Sequence, residues 1–428
     1  MHYLLRNRDI QGIESLDVYR ENQGYEGLRT AINMDRDKVI RTVQNSGLRG
    51  RGGAGFPTGR KWSFLDQSQS QRYIVVNADE AEPGTFKDRE LIEHNPHQVI
   101  EGALIAAYAL NATKAFIFVR GELLTGYESL LRAKNEAQGH GYVGSHLFGS
   151  DFSISLGIFR SAGAYICGEE TALLESLEGR RGQPRIKPPF PAQVGLYGQP
   201  TVVNNAETVA NLPPILINGS EWYRGYGTAD SPGLKIFSVS GRIKRPDNYE
   251  LPLATRLESL LYEFAGGPLE GHDFKAVIPG GSSVPLLIPA SFHVALDYES
   301  MSRESTMLGS GGVIVLDDTV CIVGAAARLL KFYRGESCGK CTPCREGTFW
   351  MAAILDRIES GLGTMKDLEL LPDIADNVGG KCLCPLGDAS LPFMLSAMKY
   401  FRAEFIRHIE EHQCPLDGIK NRNLTMPS

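Results

Sequence analysis

Three thiols close together, Cys338-Gly-Lys-Cys341-Thr-Pro-Cys344, form the most chemically loaded segment of the chain. Two successive C-x-x-C intervals let one turn of backbone present three thiolates to a compact iron–sulfur core. The fourth ligand must come from elsewhere. Cys384 is followed directly by Pro385, as the last ligand of many cluster-binding runs is; Cys382 is its rival, and spacing separates the two poorly. Four cysteines can also close a tetrahedral zinc site. The unbroken triple run favours a cubane, because zinc sites more often pair two separate knuckles. Cys167, Cys321 and Cys414 read as small buried hydrophobes or inert surface groups.

A second constellation is Gly50-Arg-Gly52-Gly53-Ala-Gly55, whose spacing matches the G-x-G-x-x-G loop that brings backbone N–H groups close to a pyrophosphate. Its context is reversed: Asp35 to Gln44 before it reads as helix, and a strand, Tyr73 to Val76, follows it. A direct dinucleotide fingerprint is therefore not the reading. The loop gains meaning from its company. Arg49, Arg51, Arg60 and Lys61 are cations suited to phosphate. The acidic turn Asn77-Ala-Asp79-Glu80-Ala-Glu82 lies just past a strand end, where open α/β sheets bind ligands. Carboxylates there can accept from ribose hydroxyls or flavin N–H groups and would repel the extra phosphate of NADPH.

Gly163-Ala-Tyr165-Ile-Cys-Gly168-Glu169-Glu170-Thr171 opens a helix whose N-terminal amides suit a phosphate or a polarised ring, although acids at a helix start also simply complement its dipole. Lys187-Pro-Pro-Phe190-Pro is a stiff segment that would fix a cation and an aromatic face. His408-Ile-Glu-Glu411-His412 has the H-x-x-E-H spacing of a metalloprotease family, but it sits at a charged helix end with no evident third ligand.

These groups must be positioned by ordinary globular structure. The chain has 428 residues, 42% hydrophobic and 22% charged, enough for two or three domains, and its net charge of -6 with no basic runs excludes a nucleic-acid footprint. The longest apolar stretch, Val99 to Leu110, is too short to span a bilayer. No apolar leader is evident at the N-terminus, so the chain is read as cytoplasmic. From about 30 to 230, strand-length runs (Tyr73 to Val76, Ala115 to Val119) alternate with helical stretches (Pro96 to Leu110, Glu122 to Gln138), predicting an α/β domain with a mostly parallel sheet. Residues 233 to 318 read as a small α+β insert: strands at Lys235 to Ser240, Tyr249 to Pro252, Phe274 to Ile278 and Val313 to Leu316, with one helix near Thr255 to Phe264. Beyond Asp317 the pattern is helical at Val320 to Tyr333, Gly347 to Ser360, Met365 to Asn377 and Leu391 to Glu411. Asp318 is the expected cap of the first helix and Gly361 the stop of the second.

Taken in order, Gly47 to Gly59, Gly163 to Glu170 and Glu336 to Gly347 resemble the flavoprotein (51-kDa, F) subunit of NADH:quinone oxidoreductase, complex I, over about Leu48 to Pro385. The resemblance implies a Rossmann-like FMN and NADH domain (1–230), an SLBB-type β-grasp domain (231–318) and a C-terminal four-helix bundle (319–428) with a [4Fe-4S] cluster on Cys338, Cys341, Cys344 and Cys384. It implies FMN against Gly50, Gly52, Lys61, Asn77, Asp79, Glu80, Gly168, Glu169, Asn204 and Asn205. It places NADH near Phe56, Phe64, Glu82, Tyr165, Glu170, Lys187 and Phe190. It further implies a 24-kDa-type [2Fe-2S] subunit and a 75-kDa-type iron–sulfur subunit as partners, in a peripheral arm on the cytoplasmic side of the inner membrane. Hydride would pass from cofactor to cofactor with no protein nucleophile. The same module in a hydrogenase or formate dehydrogenase complex, and a non-catalytic zinc scaffold, are the competing readings.

Overall fold

Side chains along Tyr73-Ile-Val-Val76 alternate between two buried surfaces, and the architecture follows from what covers each. The computed structural model describes residues 2–416. Strands β1 (Tyr73–Ala78), β2 (Lys114–Val119), β3 (Ser155–Arg160) and β4 (Thr201–Asn205) form a wholly parallel sheet in the order β3-β2-β1-β4. Ile74, Val76, Ala115 and Ile117 face one core, which includes the helix Pro96–Ala109. Tyr73, Val75, Phe118 and Val203 face a second core shared with Tyr333, Cys344 and Leu386 of the C-terminal helices. A sheet covered on both faces explains why β1 and β2 read as continuous apolar runs.

Pro96–Ala109 is buried along its whole length. Glu101 in its middle accepts from the Tyr19 O–H (2.5 Å) and from the N–H groups of Tyr25 and Leu28 (2.9 Å each), tying the N-terminal helices to the core. At Gly102 a Cβ would lie 2.0 Å from the Val209 carbonyl oxygen, so only glycine allows the contact.

Strands β5 (Leu234–Gly241), β6 (Asp247–Pro252), β7 (Phe274–Ile278) and β8 (Gly312–Asp317) form a second sheet, ordered β6-β5-β8-β7, with β5 and β8 parallel at the centre and antiparallel strands outside. The helix expected near Thr255 to Phe264 is one turn, Leu257–Ser259, running into a wider turn, Leu260–Phe264. Leu257, Leu260, Leu261 and Ala265 are all drawn onto the sheet, and the Ala265 N–H reaches back to Leu260 O at 2.9 Å, which widens the coil.

Four helices, Ile322–Glu336, Thr342–Glu359, Met365–Val378 and Pro392–Glu410, pack around one apolar core. Gly361 ends the second as expected, at φ +73°. Asp318 does not cap the first; it pairs with His272 at 2.9 Å, and Cys321 takes the capping position, its Sγ accepting from the Gly324 N–H at 3.2 Å. No described helix is long and apolar enough to cross a membrane. Gly102→Ala is expected to cost about 2 to 3 kcal/mol through overpacking; an unchanged unfolding free energy in denaturant titration would show that the two segments do not meet.

Candidate active site and metal centre

The carboxyl ends of β1 and β4 open onto a cavity of about 600 Å³, within the usual size of cofactor sites. Gly52 and Gly53 form part of its wall. Their loop is closed by a bridge between Arg49 and Pro57 and by the Gly50 N–H on Phe56 O at 2.9 Å. A Cβ at Gly52 would sit 3.1 Å from that of Asn205, whereas Gly53, at φ +138°, has open space before it, so its bare backbone can meet a ligand.

The arginines of this loop do not serve the cavity. Arg51 is fully buried, donating to Tyr223 Oη (2.8 Å) and Pro232 O (3.2 Å). Arg49 lies 3.9 Å from the ring centroid of Tyr298 and pairs with Glu299 at 2.5 Å, while Tyr298 donates to Gly50 O at 2.9 Å. They hold the loop to the second sheet's domain. Arg60 lies over the rings of Phe56 and Phe64, and Lys61 pairs with Glu170 at 3.0 Å.

Asp79 is buried with both carboxylate oxygens lacking a partner among the described residues, and burial pushes its pKa up to about 7. Glu80 is also pushed up to about 7, by burial and then by Asp88, although it accepts from the N–H groups of Asp88 and Arg89 at 2.9 Å each. Asn77 donates to Gly168 O at 2.9 Å, joining the strand end to the Gly168 turn. Asn205 donates to Asp88 at 2.5 Å and lines the cavity; Asn204 instead accepts from the Trp62 indole at 3.0 Å and does not. Of the residues expected around FMN, Gly52, Asn77, Asp79, Glu80, Gly168, Glu169 and Asn205 line the cavity, while Gly50, Lys61 and Asn204 do not.

Glu169 caps the helix Glu170–Leu177 and pairs with Lys187 at 2.8 Å. Burial works against the charge of Glu170, but Lys61 at 3.0 Å and Lys187 at 3.7 Å outweigh it and hold its pKa below the usual range. Glu82 accepts from Tyr165 Oη at 2.6 Å and from the Ser283 N–H at 2.8 Å. Phe56 and Phe64 are exposed neighbours, 6.2 Å between centroids, and Phe190 is exposed on its proline-rich segment. Thr85, Lys87, Asp88, Met307 and Ser310 also line the cavity, and no motif in the sequence marks them.

Cys338, Cys341, Cys344 and Cys384 line one small cavity together. Cys382 does not line it, although its sulfur lies beside Cys341: its thiol donates to Val378 O at 3.4 Å, and a Cβ at Gly387 would meet its sulfur at 2.3 Å. Burial pushes the bare Cys384 thiol up to about 11, so the positive charge of a bound metal group is needed to make it a thiolate. Cys341 caps the helix Thr342–Glu359 and Cys344 sits in its first turn, where the dipole favours negative sulfur. Gln183 donates to Cys338 O at 3.1 Å and Lys340 to Pro184 O at 2.6 Å, fastening the thiols to the α/β domain. Glu411 and His412 of the H-x-x-E-H segment are turned to Arg407 and Gly361 O, so that motif builds no joint site.

An open cavity with bare glycine backbone and an unpartnered buried carboxyl fits a flavin, and four thiols lining one cavity, two of them at a helix start, fit a cubane. Fold and site define an electron-transfer flavoprotein that carries an iron–sulfur cluster. Family models match in three places: the Nuo51 FMN-binding domain over residues 43–214, the SLBB domain over 236–286, and the NADH-ubiquinone oxidoreductase-F iron-sulfur binding region over 324–408. The chain is 49% identical to an NADH-quinone oxidoreductase F subunit of Rhizobium meliloti, covering 96% of this chain and 98% of that protein. It is 50% identical to the NADH-quinone oxidoreductase F subunit of Streptomyces coelicolor, covering 95% of this chain and 91% of that one. A crystal structure of an NAD+-reducing [NiFe]-hydrogenase in the H2-reduced state is similar at a TM-score of 0.81 and 37% identity, covering 91% of this chain and 64% of that one. The chain belongs to the family of NADH-quinone oxidoreductase F subunits.

Because the folded chain keeps Asp79 protonated up to about pH 7 where an unfolded carboxyl ionises near 3.8, it binds more protons folded than unfolded, and its stability falls as pH rises through that window. Asp79→Asn removes this part of the slope. Its unfolding free energy should rise relative to the parent between pH 5 and 8, by about 2 kcal/mol overall; a gap that stays constant with pH would show that Asp79 is ionised throughout.

Proposed function

We propose that the chain is the NADH-oxidising subunit of a respiratory NADH-quinone oxidoreductase, passing electrons from NADH through FMN to a [4Fe-4S] cluster and on to partner subunits. Bound FMN supplies the conversion of a hydride into electrons released one at a time. The carrying observation is Cys384, which lies in the wall of the large cavity and in that of the four-thiol cavity, so one side chain borders both cofactor sites.

In this reading the flavin is held by Gly52, Asn77, Asp79, Glu80, Gly168, Glu169 and Asn205, with Gly50, Lys61 and Asn204 shaping that wall from behind. Asp79 has free acceptor oxygens inside a buried wall, and Gly53 leaves room for a close ligand. NADH takes the side of Glu82, Tyr165, Glu170 and Lys187, with its adenine among Phe56, Phe64 and Phe190, three rings that are each exposed. Glu170 is ionised and shared between two lysines, so it can exchange one of them for a ribose hydroxyl while still screening the site against an extra phosphate. The cluster is held by Cys338, Cys341, Cys344 and Cys384. We assign residues 1–230 to the FMN and NADH domain, 231–318 to the β-grasp domain and 319–428 to the cluster domain. Electrons on the cluster require an acceptor; a 24-kDa-type [2Fe-2S] subunit and a 75-kDa-type iron–sulfur subunit, in a peripheral arm at the cytoplasmic face of the membrane, are the proposed partners. The hydrogenase likeness supports a second reading, the same module serving a hydrogen-oxidising complex; the subunits that co-purify decide between them.

An anaerobic NADH titration followed by flavin absorbance and EPR tests the proposal. Flavin should bleach, and a reduced [4Fe-4S] signal should grow that Cys384→Ser abolishes and Cys382→Ser leaves intact. A colourless protein, or the opposite pattern for the two serine variants, would refute the assignment. Glu170→Gln should raise the KM for NADH about tenfold with flavin content unchanged; loss of flavin would move Glu170 to the FMN side.

A further inference from the structure

A second set of metal-ligating side chains lies apart from the four thiols. Cys321, Glu359, His408 and Cys414 each place one ligand atom within 4.8 Å of all the others. Cys321, His408 and Cys414 are buried and Glu359 is half-buried. We propose that these four residues bind a structural divalent transition metal of the zinc type.

Three lines of geometry carry it. The Cys321 Sγ to His408 Nε2 distance is 3.3 Å, Cys321 Sγ to Glu359 Oε2 is 3.6 Å, and His408 Nε2 to Glu359 Oε2 is 3.4 Å. Metal–ligand bonds of the lengths found for zinc give tetrahedral ligand–ligand edges of roughly 3.3 to 3.8 Å, so these atoms already stand where a small ion would hold them. His408 is oriented from behind: its Nδ1–H donates to Glu404 O at 2.7 Å, which points Nε2 at Cys321 and Glu359, where a metal ion would take the place of its proton. The Cys321 sulfur accepts from the Gly324 N–H at 3.2 Å, which fixes its direction at the helix start.

The fourth ligand is delivered by a constrained turn. Gly361, at φ +73°, would place a Cβ 2.0 Å from His412 O, and His412 is bonded to Gly361 O at 3.2 Å. The segment after the last helix is thus pressed over the end of Thr342–Glu359, bringing Cys414 back toward His408. The ligand set of two thiols, an imidazole and a carboxylate suits zinc. The site joins the start of Ile322–Glu336, the end of Thr342–Glu359 and the end of Pro392–Glu410. Its distance from the four-thiol site is about the length of the 18-residue helix Thr342–Glu359, roughly 27 Å, so it closes the opposite end of the bundle.

The full chain, purified with its flavin and iron from zinc-supplemented cells, should hold about one zinc per chain beside the iron, and zinc-edge X-ray absorption should report a mixed shell of sulfur and lighter atoms with a Zn–S distance of about 2.3 Å. Cys321→Ser combined with Cys414→Ser should lose the zinc and keep iron and flavin, which separates this site from the four-thiol one. Zinc-free wild-type protein after incubation with the ion, a four-sulfur shell, a Cys321 to Cys414 disulfide in the freshly purified chain, or zinc retained by the double variant would each overturn the assignment. The absorption measurement needs no variant, so it decides even if the double variant fails to fold.

Discussion

A carboxylate with no access to solvent, Glu207, is the point on which the cavity is hung. It pairs with Lys87 at 2.9 Å and Lys235 at 3.4 Å and accepts from the Ile236 N–H at 2.8 Å. Lys87 also pairs with Asp88 at 2.8 Å, and Lys235 donates to Ser310 O at 2.7 Å. Helix starts from the α/β domain, strand β5 and the Ser310 turn of the second sheet are thereby joined through charges that have left water. Such a network costs desolvation and contributes little net stability, but removing one member strands the others. Burial opposes the charge of Glu207, yet Lys235 and Lys87 hold its pKa down. Lys235, buried beside the cations Lys87 and Arg51, is pushed down to about 7 even with Glu207 as partner. What the network secures is relative position: Lys87, Asp88 and Ser310 all line the cavity.

The same constraint explains why the loop arginines face away from the site. Arg51 belongs to the buried charge balance near Glu207, and Arg49 is held by Tyr298 and Glu299 across the domain contact. A glycine loop with no strand before it has no sheet edge to define its path, so the second domain defines it instead. Gly55 lies against the Tyr298 ring, where a Cβ would be 2.3 Å away. The bare backbone at Gly53 then faces the cavity, while Arg49 and Arg51 brace the loop from the other side.

Signals carried by local spacing were legible in the sequence. Strands β1, β2 and β7 and the helix Pro96–Ala109 follow from their apolar runs, the first two strands and that helix being covered on every side, and the four bundle helices follow from apolar periodicity, because each buries the face its own pattern marks. The glycine loop and the acidic turn after β1 were legible for the same reason. Strands β3 and β4 escaped notice: Ser155 and Gly157 dilute the first, and Asn204 and Asn205 end the second. Met307, Ser310 and Ser283 reach the cavity only through domain packing, which leaves no mark on spacing. The capping of Ile322–Glu336 by Cys321 rather than Asp318 was hidden similarly, since His272 draws Asp318 away from the helix. Cys382 and Cys384 could not be told apart by interval, because the fold brings both sulfurs beside the three-thiol run: Cys382 lies next to Cys341, and Cys384 shares the small cavity with all three.

Placing the thiols on a helix start beneath the sheet has a consequence for electron flow. Tyr73, Val75 and Val203 on the near face of the sheet share one apolar core with Cys344, Tyr333 and Leu386, so the cluster loop rests on the strands whose ends open onto the cavity. Ile166 and Leu386 border both the cavity and the four-thiol space, as Cys384 does. The wall between the two sites is therefore one layer of apolar side chains and a single sulfur. Packing on both faces of the sheet fixes where this shared wall stands. The hydrogen bonds of Gln183 with Cys338 O and of Lys340 with Pro184 O then hold the cysteine loop to the α/β domain, so the relative position of the two cavities is set by packing and by these bonds.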